Sequence, residues 1–257
     1  MKNFPLRLVM NLTKHVLILG SLLLGSLEVM ASGLQVSPIS LSLQARETAN
    51  GLTLSNSGNN IVHAQVRVYQ WLQDEQGDQL TPSRGLLASP PMLELKPGEK
   101  QLIRIIRAKA PPQGTDAVEA AYRILVNELP IKSANQTTGL QFALSYSLPV
   151  FVQPIGVTET SPQLQWSTHL QPDGKAIKLR VSNSGNGHAQ LARLSFIDTA
   201  GNSTVINPGL LGYVLPDATM NWTLKIPPSA LAAGGKFKVM MNGTQTTPNV
   251  TMDTSIR

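Results

Sequence analysis

The sequence predicts an all-β protein of two tandem domains, on three observations. Gly and Pro supply 38 of the 257 residues, which punctuates a chain of many short segments. Apolar and polar residues alternate along most of those segments, the period of a half-buried strand, and no convincing amphipathic helix interrupts them. A two-part pattern also recurs, in the same order, about 120–130 residues further on. Regular short strands between turns predict a sandwich or a barrel, and two units are too few for a solenoid.

The recurring pattern carries most of this argument. Leu52-Thr-Leu-Ser-Asn-Ser-Gly-Asn-Asn-Ile-Val-His-Ala-Gln-Val-Arg-Val68 is echoed by Leu179-Arg-Val-Ser-Asn-Ser-Gly-Asn-Gly-His-Ala-Gln-Leu191. Each is an alternating strand, an Asn-Ser-Gly-Asn turn and a second alternating strand. The turn residues predict positive φ, which Asn and Gly tolerate. Leu93-Glu-Leu-Lys-Pro-Gly-Glu-Lys-Gln-Leu-Ile-Arg-Ile105 is likewise echoed by Val214-Leu-Pro-Asp-Ala-Thr-Met-Asn-Trp-Thr-Leu-Lys-Ile226.

The other elements follow in chain order. Lys2, Arg7 and Lys14 precede a short apolar stretch from Val16 to Leu27, and Val29 and Ala31 are small residues at the positions a signal peptidase reads. This predicts a signal peptide over 1–31. Alternation predicts strands over Leu34–Leu43, Val66–Trp71, Tyr122–Leu129 and Leu140–Val152, with a turn at Asp74–Asp78. Pro154-Ile155-Gly156 breaks the pattern and places a boundary there, giving domains over 32–154 and 155–257. In the second half, strands are expected at Leu164–Trp166, Ala176–Ser182, Gln190–Asp198 and Lys236–Met241.

Composition narrows the function. Without residues 1–31 the charge falls from +6 to +4, 18 basic against 14 acidic residues, spread along the chain. Nucleic-acid binding calls for clustered Lys and Arg among stacking aromatics, which are lacking here. There is no Cys, so disulfides and thiolate metal sites are excluded. His15, His63, His169 and His188 are scattered, and no cofactor is implied. Nucleophile elbows, phosphate loops and clustered aromatics are missing too, which argues against an enzyme and against a carbohydrate-binding module. After signal cleavage no segment is long enough to insert in a membrane.

One segment stands out. In Leu140-Gln-Phe-Ala-Leu-Ser-Tyr-Ser-Leu-Pro-Val-Phe-Val152, the residues Leu140, Phe142, Leu144, Tyr146 and Leu148 share one face. Alternation alone fits a half-buried strand whose large side chains fill its own core.

A resemblance adds a second reading. Glu119-Ala-Ala-Tyr-Arg-Ile-Leu-Val-Asn-Glu-Leu-Pro130 resembles the signature strand of periplasmic pilus chaperones, which ends in Glu-aliphatic-Pro. Ser89-Pro-Pro-Met-Leu-Glu-Leu-Lys-Pro-Gly-Glu-Lys-Gln-Leu-Ile-Arg104 is similar to that family's Pro-Pro, Pro-Gly and basic-strand stretch. Tyr122-Arg123 with Tyr146-Ser-Leu-Pro149 looks most like the archaic branch of the chaperone–usher pathway. The resemblance spans nearly all of the first domain and is weaker across the second.

It implies two immunoglobulin-like β-sandwich domains, no catalysis, pilus subunits and an outer-membrane usher as partners, and a periplasmic location. It also implies that Leu140, Phe142, Leu144, Tyr146 and Leu148 fill the groove of an incomplete subunit, by donor-strand complementation. The better-known branch clamps the subunit's terminal carboxylate with two basic residues. Here those positions fall near Ser40 and at Pro149, neither of them basic. Arg123 is the substitute expected, with Arg46 and Arg104 as lesser candidates. The rival expectation is a pilus subunit or surface adhesin, also exported and all-β.

Overall fold

The structure is a computed structural model that describes residues 33–130, 142–171, 174 and 176–256. Ten strands come first: β1 (Leu34–Ser37), β2 (Leu41–Leu43), β3 (Ala49–Asn56), β4 (Val62–Asp74), β5 (Gly77–Pro82), β6 (Leu86–Ser89), β7 (Met92–Leu95), β8 (Lys100–Arg107), β9 (Ala120–Leu129) and β10 (Ser145–Val152). They form one sheet in the order β1-β3-β8-β6 and a facing one in the order β2-β10-β9-β4-β5, with β7 beside β4. The second set is β11 (Leu164–Leu170), β12 (Ile177–Asn183), β13 (Ala189–Asp198), β14 (Ser203–Val214), β15 (Thr219–Leu224), a short helix α1 (Pro228–Ala232), β16 (Gly235–Met241), β17 (Thr244–Thr246) and β18 (Val250–Ile256). Its sheets run β15-β12-β11-β18 and β14-β13-β16-β17. No sheet mixes strands of the two sets, and the fold is two immunoglobulin-like sandwiches in tandem.

Each sandwich has its own core. Leu43, Leu54, Leu95, Ile103, Ile105, Ile124 and Val126 fill the first. Leu179, Val181, Leu191, Leu194, Phe196 and Phe237 fill the second, whose cluster extends to Trp71, Ala121 and Phe151 of the first. The residues of the first core are inward positions of alternating strands, as the period of two requires, whereas Trp71, Ala121 and Phe151 lie on the outer face of β4, β9 and β10.

The echoed motif has one structural job in both domains. β3 and β4 lie in different sheets, as do β12 and β13, so the Asn-Ser-Gly-Asn segment is a corner between sheets and not a hairpin. Asn56 and Asn183 are 1% and 2% exposed. The Asn56 amide donates to the Asn60 and Leu95 carbonyls at 2.7 and 3.0 Å and accepts from Gly58 N–H at 2.9 Å. Asn183 repeats this with the Gly187 and Val214 carbonyls at 2.8 and 3.1 Å and with Gly185 N–H at 2.9 Å. The acceptors Leu95 and Val214 belong to the second echo, so the two repeats are hydrogen-bonded to each other within each domain.

The corner residues do not use positive φ. Glycine is needed there for close approach: a Cβ on Gly185 would stand 2.4 Å from Gln163 N and Ser161 O.

Two further expectations change. The strand expected over Leu34–Leu43 is two, because β1 pairs with β3 while β2 pairs with β10 in the other sheet. Pro38 lies at the switch, where its missing N–H ends one ladder. The strand expected over Leu140–Val152 begins at Ser145 among the described residues. β14 was not anticipated, because Pro208-Gly209 hides its pattern.

Replacing Asn56 by Ala strands a donor and two carbonyls at a buried corner, and replacing Asn183 strands the same set together with Gln163 N–H. Each change is expected to cost about 1–3 kcal/mol, read from urea unfolding followed by circular dichroism. Unchanged midpoints in both variants would mean the corner amides do not hold the sandwiches.

Candidate functional site

The site is built on β9 and β10. These pair antiparallel from Ser145↔Asn127 to Val152↔Ala120, and Glu128 N–H donates to the Leu144 carbonyl at 2.8 Å. Antiparallel alternation then directs the N–H and C=O groups of Tyr146 and Leu148 to β9, and those of Ser145 and Ser147 away from it. On that far side β2 pairs in parallel, but only with Val150–Val152. Among the described residues no strand lies beside Ser145 and Ser147. Pro149 sits at an outward position, so its missing N–H removes no bond to β9 and closes the open edge at that point.

The apolar face of this segment emerges from the domain step by step. Leu148 is 5% exposed and belongs to the first core. Leu148 is packed in its own sandwich, because at that depth the face of β10 is already covered. Tyr146 and Leu144 are half-buried against the rim of that core. The Tyr146 hydroxyl donates to the Leu34 carbonyl at 2.6 Å, which satisfies it at the rim. Leu144 N–H donates to a carboxylate oxygen of Glu128 at 3.0 Å. Phe142 is 62% exposed. Leu140 lies outside the described residues.

Arg123 is one pair further along, opposite Pro149 on one side and Tyr69 on the other. Ile124 and Val126 point into the sandwich, so Arg123 projects from the outer face of the sheet, towards the second domain. Its side chain is 13% exposed. The guanidinium carbon lies 3.6 Å from the centre of the Trp71 ring and 5.2 Å from that of Tyr213. Among the described residues its one ion-pair contact is the exposed Asp78, with Nη2 and Oδ2 3.8 Å apart, too long for a hydrogen bond. Burial pulls the Arg123 pKa below its ordinary value, while Asp78 and then Tyr213 act in the opposite direction. The group remains cationic.

Arg46 and Arg104, the lesser candidates, are both exposed, Arg104 on β8 of the other sheet. Ser40 is exposed between β1 and β2, and Pro149 is buried.

The cleft beside Arg123 is a joint of aromatic and polar groups. Trp71 meets Tyr213 edge-on at 5.3 Å, and Phe151 stacks on His188 with ring centres 3.5 Å apart. His188 Nδ1 lies 2.6 Å from a carboxylate oxygen of the buried Glu119, which also accepts from His188 N–H at 3.0 Å. The Trp71 indole N–H is buried without an acceptor among the described residues. Sequence reasoning missed this joint. Trp71 and Tyr213 are 142 positions apart in the sequence, and no periodic signal links them.

Tandem immunoglobulin-like sandwiches, with a half-open strand edge near a cation in the cleft, define a two-domain chaperone of the pilus-assembly class. Residues 33–158 match the family described as pili and flagellar-assembly chaperone, PapD N-terminal domain, and the first sandwich is a domain of that family. The archaic branch supplies a solved relative, the CsuC–CsuE chaperone–tip adhesion subunit pre-assembly complex from archaic chaperone-usher Csu pili of Acinetobacter baumannii. It is 25% identical, with 86% of this chain and 99% of that chain covered at a TM-score of 0.65. The E. coli chaperone DraB is 18% identical, covering 85% and 97%, with a TM-score of 0.56. The Salmonella enterica SafA pilin–SafB chaperone complex gives 18%, 84% and 93%, with a TM-score of 0.54. No curated protein matches the chain. The matched family is one of chaperones, neither of enzymes nor of pilus subunits. Among the described residues no helix is long and apolar enough to cross a membrane.

Glu119→Ala removes an acceptor that serves both the ring and the backbone of His188. The expected cost is about 1.5–3 kcal/mol, seen as a lower thermal midpoint, and Glu119→Gln should recover part of it. A midpoint unaffected by Glu119→Ala would show that the joint does not depend on this contact.

Proposed function

We propose that this protein acts in the periplasm as an assembly chaperone, which holds pilus subunits by lending them the open edge of β10 and passes them to an outer-membrane usher. In this reading residues 1–31 are removed on export, and 32–154 and 155–257 are the working domains. The protein acts without catalysis and without a cofactor, on pilus subunits rather than nucleic acid, and it does not insert into the membrane.

The observation that carries the reading is the combination on β10 and the residues just before it: backbone groups of Ser145 and Ser147 without a strand beside them among the described residues, and apolar side chains that climb from half-buried Leu144 to exposed Phe142. An incomplete sandwich with a missing strand exposes the complementary edge and an apolar groove, both prone to aggregate. Pairing satisfies both edges at once. Leu140, Phe142, Leu144 and Tyr146 then extend into the groove, and each large apolar side chain buried contributes about 1.5–3 kcal/mol before ordering costs. Leu148 stays with its own domain.

Arg123 is the anchor for the subunit's terminal carboxylate. Its fork can hold a carboxylate bidentately, and its present acidic neighbour is both distant and exposed. Subunits with open grooves are the expected cargo, because the solved relatives CsuC–CsuE and SafA–SafB are described as chaperone complexes with a tip adhesion subunit and a pilin.

Co-expression with the pilus subunit tests both parts. Phe142→Ser with Leu144→Ser should lower recovery of periplasmic complex at least tenfold, given about 1.5–3 kcal/mol lost per side chain, while the free chaperone stays folded. Normal recovery would rule out the groove fillers. Arg123→Ala should separately lower subunit yield without unfolding the chaperone, and an unchanged yield would remove the anchor.

A further inference from the structure

Three groups surround Arg123, and they come from both domains. The Trp71 ring on β4 lies beneath the guanidinium, its centre 3.6 Å from the guanidinium carbon, and that of Tyr213 on β14 is 5.2 Å away. Asp78 on β5 is the third, at 3.8 Å. One side chain connects them. Gln73 Nε2 donates to Asp78 Oδ1 at 2.8 Å and to the Tyr213 carbonyl at 3.1 Å, while Gln73 Oε1 accepts from Leu215 N–H at 2.8 Å. The Tyr213 hydroxyl accepts from Gln190 Nε2 at 2.7 Å, which fixes the ring from the second domain's own sheet.

A cation on a flexible stem usually keeps many rotamers, and binding must then pay to order them. Here the second domain supplies part of the ordering in advance. We infer that the second domain positions the anchor: Tyr213, held in place through Gln73 and Gln190, fixes the Arg123 guanidinium against Trp71 in the orientation that meets a subunit's terminal carboxylate. This rests on the reading of Arg123 as anchor. It makes Tyr213 and Gln73 positioning residues, and it gives the second domain a part in subunit binding through contacts that touch no subunit themselves. A ring at position 213 matters through its π-face, which phenylalanine keeps while losing the Gln190 contact, so phenylalanine should serve in part.

The test uses the full-length chaperone co-expressed with its pilus subunit, the subunit carrying either its native C-terminus or a Gly-Ser tail that displaces the carboxylate. Tyr213→Leu keeps apolar volume at the joint but removes the ring, and it should lower recovered complex roughly five- to tenfold. Tyr213→Phe, which keeps the ring but loses the Gln190 contact, should give a smaller loss than Tyr213→Leu. In an Arg123→Gln background, or with the tailed subunit, Tyr213→Leu should add no further loss. The inference is overturned if Tyr213→Leu costs as much in those two settings, since the effect would then come from general folding. It is also overturned if Tyr213→Leu costs nothing while Arg123→Gln does, an outcome that leaves the anchor itself standing. Loss of neither takes both readings down.

Discussion

The proposed function depends on β10 being paired along one whole side and only part of the other. β9 runs the full length of it, while β2 covers just Val150–Val152. The short reach of β2 has a local cause. The chain leaves the first sheet at Pro38 and enters the second only at Leu41, so no strand is available to accompany Ser145 and Ser147. Native sheets usually cover or charge such edges. Here the open edge is formed by Ser145 and Ser147 and preceded by an exposed phenylalanine, a combination that suits a borrowed partner better than solvent.

The second constraint is the joint between the domains. It buries rings from both sides, yet most of its directional contacts are polar: the Glu119–His188 pair, the Gln73 amide, and the Arg180–Glu75 contact at 2.8 Å. Hydrogen bonds of this kind fix an orientation more sharply than apolar contact, because they fail with angle as well as distance. Arg123 sits where that orientation is set. An arginine placed outward on β9 would otherwise be an ordinary surface charge, and the joint converts it into a cation of fixed direction with a weakly held acidic neighbour.

The repeated corner shows how the two domains reach one architecture with few identical residues. Asn56 and Asn183 each satisfy a turn and a carbonyl of the returning strand, which ties the first echo to the second inside each sandwich. A buried amide that makes three or four hydrogen bonds specifies its corner, since any slip would strand its partners in a dry interior.

Period-two alternation and paired echoes made the β class, the tandem organisation and most strand positions legible in the sequence, because these depend on local side-chain direction and on turn chemistry. The same alternation marked Phe142, Leu144, Tyr146 and Leu148 as one face, and the interruption of an apolar strand marked Arg123. Alternation cannot say how deep each residue lies. That depth separates Leu148, sealed in its own core, from exposed Phe142 on the same face, and it is decided by where the opposing sheet ends. Nor could sequence reveal that the Asn-Ser-Gly corner links two sheets, or that Trp71, Gln73 and Tyr213 converge on Arg123. Those depend on which strands neighbour each other and on how one domain meets the next, relations between residues too far apart in the chain for any local pattern to record.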